Sequence, residues 1–287
     1  MPELPEVETV RQGLNQVTLN QEIEGGDVLL ERTIAYPISV DDFLAGIQGC
    51  AIARWHRYGK YLLAELIQHS SKASSGWLGV HLRMTGQLLW LNQQADLHKH
   101  TRVRLLFARG LELRFVDQRT FGQIWYVPPE VQVESIITGL EKLGLDPFSP
   151  EFSVEYLANK LKNRQRAIKT ALLDQAFIAG LGNIYADEAL FVSQLQPTIL
   201  CNELRLPQIA QLHHAIVQVL KSSLAAGGTT FSNFLNVQGV NGRYSGIAWV
   251  YNRTGQPCRI CQTPIQKIRL AGRSSHFCPN CQQSSIA

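Results

Sequence analysis

No stretch of this 287-residue chain approaches the ~18 consecutive apolar residues that a membrane-spanning helix requires. Its first residues are acidic and lack the basic start and apolar run of a secretory leader. It has no internal repeat and no low-complexity tract, which excludes solenoid and fibrous designs. Charged residues make up only 17% against 45% hydrophobic ones, so a disordered chain is excluded too. What remains is a globular protein, expected in the cytoplasm. Its length exceeds the usual single core, and two domains are expected.

Charge is unevenly distributed. Residues 1–150 hold 14 Lys and Arg against 17 Asp and Glu, whereas residues 151–287 hold 13 against 6. A basic C-terminal half fits a polyanionic partner or, equally, a solvated basic surface.

The chain opens MPELPEVETV. Pro5 with Glu6 and Glu8 are ordinary helix-start signals, and Val7, Val10 and Leu14 recur at helical spacing, so a helix from about Pro5 to Asn15 is expected. Helix formation does not explain Pro2 directly after Met1. Residues 23–127 read as strand after strand, as in AIARWHRYGKYLLAELI and TRVRLLFARGLELRF, which implies an antiparallel sandwich or barrel. ARG at 108–110 is a hairpin candidate, and HSSKASSG at 69–76 reads as a polar loop. Residues 128–150, rich in Pro and Gly, read as a linker. From Glu151 the pattern turns helical, and residues 226–246, with five glycines, read as a long mobile loop.

Cys258 and Cys261, then Cys278 and Cys281, form two C-x-x-C pairs separated by 16 residues. That spacing suits one tetrahedral, structural Zn2+, since four thiolates leave no open position for substrate. Two disulfides are the competing reading, which a cytosolic setting disfavours. Lys267, Arg269 and Arg273 lie on the hairpin expected between the pairs. In AGLGNIYADEAL, Gly180 and Gly182 precede Asn183, which is expected to cap a helix whose N-terminus could face an anion.

PELPEVE at 2–8, RYGKYL at 57–62, GLGNIYADEAL at 180–190 and the four-Cys ribbon occur in one order, and together they closely resemble the formamidopyrimidine-DNA glycosylase family along essentially the whole chain. The resemblance implies an α+β fold. An N-terminal antiparallel β-sandwich with flanking helices would occupy residues 1–130 and a linker 131–150. A helical domain with a helix–two-turn–helix motif and a lesion-capping loop would occupy 151–246, and a zinc-finger hairpin 247–287. It implies a monomeric enzyme on damaged double-stranded DNA, with one zinc and no small-molecule cofactor, that excises oxidised purines and then cleaves by β,δ-elimination.

With Met1 removed, the secondary amine of Pro2 would attack C1′ and form a Schiff base. Such an amine ionises near 8, against 10.4 for lysine. Glu3 would be the general acid/base, Glu6 a second nearby carboxylate, and Lys60 a phosphate-binding assistant. Met84, Arg119 and Phe121 would fill the space of the extruded base, with core burial as the plain alternative for Met84 and Phe121. Asn183, Arg273, Lys169 and His100 would contact DNA. The capping loop departs from the family pattern at NVQGVNGRYSG, and Ser232 stands where many members have Lys. A pyrimidine-specific endonuclease VIII-type enzyme commonly has Gly in place of Leu4. A lesion-binding protein without catalysis would not need Pro2, Glu3 and Lys60 together. A zinc-ribbon transcription factor leaves the first ten residues unexplained.

Overall fold

The computed structural model describes residues 1–229 and 234–282. It divides into two compact units. Met1–Lys142 with Ala226–Arg243 form the first, and Leu143–Ala225 with Tyr244–Ala287 the second.

The first unit begins with α1 (Leu4–Val17), β1 (Ile23–Val28), β2 (Ile34–Tyr36) and α2 (Val40–Ile47). It continues as β3 (Cys50–Tyr58), β4 (Tyr61–Gln68), β5 (Ser74–His81), β6 (Gly86–Asn92), β7 (Thr101–Phe107), β8 (Leu111–Asp117) and β9 (Gln123–Val127), and α3 (Val133–Ile136) follows. One sheet runs β1-β7-β8-β6 and the other β2-β9-β5-β4-β3. Alternation of Val103, Leu105 and Phe107 with Arg102 and Arg104 aims one face of β7 inward. Leu62, Ala64, Leu78 and Val80 of the five-stranded sheet share one core with Leu88, Val103, Leu105, Leu113 and Phe115 of the four-stranded sheet, which makes a sandwich. Val7, Val10 and Leu14 of α1 enter the same core. Among the described residues every strand pair is antiparallel except one, because β2 lies parallel to β9.

Three expectations change here. The polar loop is shorter than 69–76, because Ser74 already pairs with Ile67 and begins β5. The expected linker is not free chain over its first half. Val133 and Ile137 are buried against Leu63, Trp125 and Val127 in a small second core. The segment 226–243, expected as a mobile part of the helical domain, packs on the first unit instead. Phe234 and Val237 enter the sandwich core, and the Trp90 N–H donates to the Val237 carbonyl at 2.9 Å. Ser232 lies outside the described residues.

The second unit holds α4 (Val154–Leu161), α5 (Ile168–Leu172), α6 (Asn183–Val192), α7 (Leu206–Ala225) and a hairpin, β10 (Gln266–Leu270) and β11 (Arg273–Phe277). Ser153 caps α4 by accepting from the Tyr156 N–H at 3.1 Å. Ile184, Tyr185, Ala186, Ala189 and Leu190 of α6 are all buried, so this helix is wrapped by its unit rather than lying on its surface. Ala271 and Gly272 both have positive φ, +45° and +79°, as a two-residue hairpin turn of the primed type requires. No helix among the described residues is long and apolar enough to cross a membrane.

Val237→Ala deletes two buried methyl groups that seat the 226–243 segment. The expected cost is about 2 kcal/mol, seen as a melting temperature lowered by roughly 4–8 °C. An unchanged melting curve contradicts the seat described.

Candidate active site

The first unit gathers the N-terminal candidates. Pro2, Glu3 and Glu6 are buried at the start of α1, and Lys60, only 7% exposed, sits in the two-residue turn joining β3 to β4. Gly59 takes φ +55° there, which places the lysine at the tip of a tight hairpin. Burial pulls the α-amine of Met1 below its ordinary value. Glu3 and Glu6 push it up, while Lys60 and Arg119 add to the lowering. Two carboxylates and two cations therefore act on one buried amine.

Glu6 holds this arrangement. Its Oε2 accepts the Glu3 N–H at 2.8 Å, the reach-back of a helix N-terminus, and its Oε1 accepts the Thr229 N–H at 2.9 Å. Gly228, at φ +83°, passes so close that a Cβ would stand 3.2 Å from that oxygen. Glu8 has a separate task. It binds Arg11 and, at 3.0 Å, Arg57, whose guanidinium also donates to the Gly59 carbonyl at 3.2 Å. Burial alone would raise the Glu8 carboxyl, but the hydrogen bond and charge of Arg11 keep it below the usual range.

Phe121 is 53% exposed and Arg119 is exposed with its guanidinium 5.0 Å from the Phe121 ring, so Phe121 is not a core residue. Met84 is half-buried in the turn before β6 and is absent from the sandwich core. His100 precedes β7, where Arg102 donates to its Nδ1 at 3.1 Å. It lines a cavity of about 510 Å³ with His98, Lys99, Thr85, Gln87 and Asn241. Desolvation, then Arg102 and Lys99, keep this imidazole below its ordinary value.

His81 carries no local signal of its importance in the sequence. It ends β5 opposite Tyr61, edge-on to that ring at 4.5 Å, and accepts the Arg83 N–H on Nδ1 at 2.9 Å, so Nε2 carries its proton. Burial, then Arg83 and Lys60, pull it down to about 3. The buried imidazole therefore stays neutral and presents Nε2–H as a donor rather than as a charge. The HLRMTG motif contains it, but only tertiary packing reveals its burial.

In the second unit the expected cap of α6 shifts by one residue. Gly182 is the N-cap and Asn183 the first helical residue, and the Asn183 Nδ2 donates to the Ser274 carbonyl at 3.0 Å. This joins the start of α6 to β11, whose first residue, Arg273, is exposed. Lys169 differs from its expected DNA contact. It is fully buried, ion-paired with Asp187, and donates to the Asn183 carbonyl at 2.9 Å. Its ammonium reaches no surface and instead braces α6. His276 binds the other Asp187 oxygen at 2.9 Å through Nδ1.

All six cysteines are free thiols, so the disulfide alternative falls away. The ligand atoms of Cys258, Cys261, Cys278 and Cys281 lie within 4.8 Å of one another, with Cys258–Cys281 at 3.8 Å and Cys261–Cys278 at 3.5 Å. A tetrahedral zinc with ~2.3 Å bonds wants its sulfurs ~3.8 Å apart, so the set fits one ion. Ile260 and Cys281 N–H groups point at two of the sulfurs at 3.4 Å, which supports thiolates. The surrounding apolar cluster is small, chiefly Phe191, Val250 and Ile265, and a metal would supply what such a core lacks.

A family model for the formamidopyrimidine-DNA glycosylase N-terminal domain matches residues 1–124, and one for the H2TH domain of the same enzyme matches 143–234. A zinc finger found in FPG and IleRS matches 255–283. The chain belongs to the formamidopyrimidine-DNA glycosylase family. The enzyme of that name from Nostoc punctiforme is 73% identical over 282 residues, covering 98% of this chain and 96% of the relative. That of Synechococcus sp. is 58% identical over 99% of this chain and 100% of the relative. A Lactococcus lactis FPG mutant bound to Fapy-dG DNA superposes with a TM-score of 0.89 at 32% identity, covering 98% of this chain and all of that one. The L. lactis Fpg complex with abasic-site DNA gives 0.88 at 32%, covering 98% and 99%. The α+β architecture, the zinc finger and the glycosylase class thus agree with the reading of the sequence.

Two outcomes test this geometry. Between pH 6.5 and about 3 the unfolded chain takes a proton on His81 that the folded chain refuses, so folding stability falls as pH falls across that window, by at most about 1.4 kcal/mol per pH unit. His81→Gln should flatten this slope in urea titrations at pH 7 and 5. Parallel slopes contradict it. Native mass spectrometry should find one zinc per chain, lost in Cys278→Ser.

Proposed function

We propose that this chain is a bifunctional glycosylase and AP lyase that excises oxidised purines, 8-oxoguanine and formamidopyrimidines, from duplex DNA. The observation that carries the reading is the burial of Pro2 and Glu3 at the chain start, where the Met1 α-amine already lies in the field of Glu3, Glu6, Lys60 and Arg119. Solved relatives are complexes with Fapy-dG DNA and with abasic-site DNA, which supports damaged duplex DNA as the partner.

Removal of Met1 frees the Pro2 nitrogen. Its lone pair forms the bond to C1′ as the glycosidic bond breaks, and the proton that the new ammonium sheds leaves with the base. Glu3 supplies the proton that opens the sugar ring. Loss of ring oxygen from C1′ leaves an iminium, because a secondary amine bonded to carbon this way stays cationic. That cation draws electrons from C2′, so a C2′ proton leaves and the 3′ phosphate follows; elimination of the 5′ phosphate comes next. Lys60 offsets phosphate charge, and an α-amine, which ionises near 8, presents a useful unprotonated fraction at neutral pH. Met84, Arg119 and Phe121 occupy the space of the extruded nucleotide, with Arg119 facing the orphaned base. Asn183 and Arg273 hold phosphates. His100 is a further phosphate contact. The zinc is structural: Cys258, Cys261, Cys278 and Cys281 would hold it, and it keeps Arg273 on a rigid hairpin.

Borohydride trapping on a duplex with 8-oxoguanine opposite cytosine, read by intact mass and peptide mapping, should give an adduct on Pro2 and none on chains retaining Met1. Glu3→Gln should slow excision by a factor of about 10²–10⁴ while DNA binding persists. An adduct only with an oxidised pyrimidine overturns the purine assignment. Tight binding without any adduct by Met1-free chains overturns catalysis.

A further inference from the structure

The residues proposed to enter the DNA stack lie on two separate turns, 82–86 and 117–122. Exposed side chains such as Phe121 and Arg119 lose affinity and precision if their backbone wanders. Something must fix both turns, and a single buried carboxylate does so. Asp117, 1% exposed, ends β8 opposite Gly86 of β6. Its Oδ1 accepts the Thr85 hydroxyl, and its Oδ2 accepts the Gly122 N–H at 2.7 Å. The Arg119 N–H is shared between the Thr85 oxygen at 2.9 Å and Asp117 Oδ1 at 3.2 Å.

The Asp117 main chain is held as firmly as its side chain. Its N–H donates to the His100 carbonyl at 2.9 Å, and its carbonyl accepts from Arg102 Nε at 2.8 Å. The turn it closes is a strained one. Thr120 takes φ +58°, and its hydroxyl is bound by the Arg32 guanidinium. Gly122 and Gly86 have no room for a side chain, since a Cβ would come within 2.5 Å of the Phe115 ring and of the Leu82 carbonyl oxygen respectively. The sequence between Asp117 and Gly122 is thus a loop pinned at both ends by one carboxylate, with Arg119 and Phe121 projecting from its crown.

We propose that Asp117 and Thr85 are positioning residues for lesion extrusion: they lock the Met84 turn to the Arg119–Phe121 turn, so that all three side chains enter the duplex as one rigid wedge. This rests on the proposed role of those three side chains. Neither Asp117 nor Thr85 need touch DNA. The hydroxyl of Thr85 does what no apolar isostere can, because it donates to one turn and accepts from it at the same time. Removal of that hydroxyl takes from the Arg119 N–H the nearer of its two acceptors, and from Asp117 its link to the Met84 turn, without touching the Arg119, Phe121 or Met84 side chains.

The test compares two reactions of the full-length, Met1-free enzyme. One is single-turnover excision of 8-oxoguanine, which requires extrusion of a stacked base. The other is strand cleavage at a preformed abasic site, which has no base to extrude. Thr85→Val should slow excision by about 10- to 100-fold and leave abasic-site cleavage within about threefold of the parent. Thr85→Ser, which keeps the hydroxyl, should restore excision. 2-Aminopurine placed beside the lesion should lose its fluorescence rise on binding of Thr85→Val and regain it with Thr85→Ser. Asp117→Asn keeps the shape but aims a donor at a neighbouring N–H, and should show the same split. Excision by Thr85→Val at the parental rate, equal loss of both reactions in both variants, or failure of Thr85→Ser to restore excision each overturns the proposal. A parent enzyme that neither cleaves the abasic site nor raises the 2-aminopurine signal overturns the proposed function itself, and this inference with it.

Discussion

The Glu6 carboxylate is reached by two backbone N–H groups from far apart in the sequence, one from Glu3 and one from Thr229. It is 1% exposed, so water cannot replace either partner. Hydrogen bonds to a charged acceptor contribute about 1.5–3 kcal/mol each, and a buried carboxylate stripped of one of them keeps its desolvation cost. The position of the helix start and the course of the segment after Ala226 are therefore fixed by the same atom pair. Everything at the chain start, from Pro2 to the field of Lys60, takes its place relative to that carboxylate. A residue that looks like a second acid for catalysis is first of all a fastener.

A similar logic runs through the second unit. Asp187 has one oxygen on Lys169 and the other on His276, and Lys169 also reaches the Asn183 carbonyl. Glu188, the next residue, accepts from the N–H groups of Trp249, Val250 and Tyr251 at 2.7–2.9 Å. Burial raises its carboxyl even though those three donors pull it down. Neighbouring acids on α6 thus face two ways. One grips the hairpin, and the other grips the segment that leads into the cysteine pairs. The exposed cation at Arg273 inherits its placement from buried ones.

Features set by near neighbours in the chain are legible from the residues alone. The α1 start, the strand alternation of β7 and the 16-residue gap between the cysteine pairs are all local patterns, and local physics decides them. Features decided by distant partners are not. Lys169 looks like any surface lysine until Asp187, eighteen residues on, is found folded against it. Asn183 is a natural cap by type, but Gly182 takes that position and the Asn183 Nδ2 reaches the Ser274 carbonyl. His81 sits in a motif that the sequence highlights for Met84, and nothing local says that it is buried. The 226–243 segment reads as loose because its glycines dominate its composition, whereas two apolar residues, Phe234 and Val237, decide where it packs.

The burial of the chain start has a bearing on when the protein matures. An aminopeptidase must draw the first residues of its substrate out straight into its own pocket. Here Pro2 and Glu3 are buried, and Leu4 and Val7 are wholly enclosed once α1 has packed. The trimming of Met1 that the proposed function requires would therefore belong to the interval when the nascent chain has left the ribosome but α1 has not yet found the sandwich. Synthesis order helps, because the strands that cover α1 are translated after it. On the function proposed above, the nucleophile would then be set by a race between an exopeptidase and the folding of the domain that uses it.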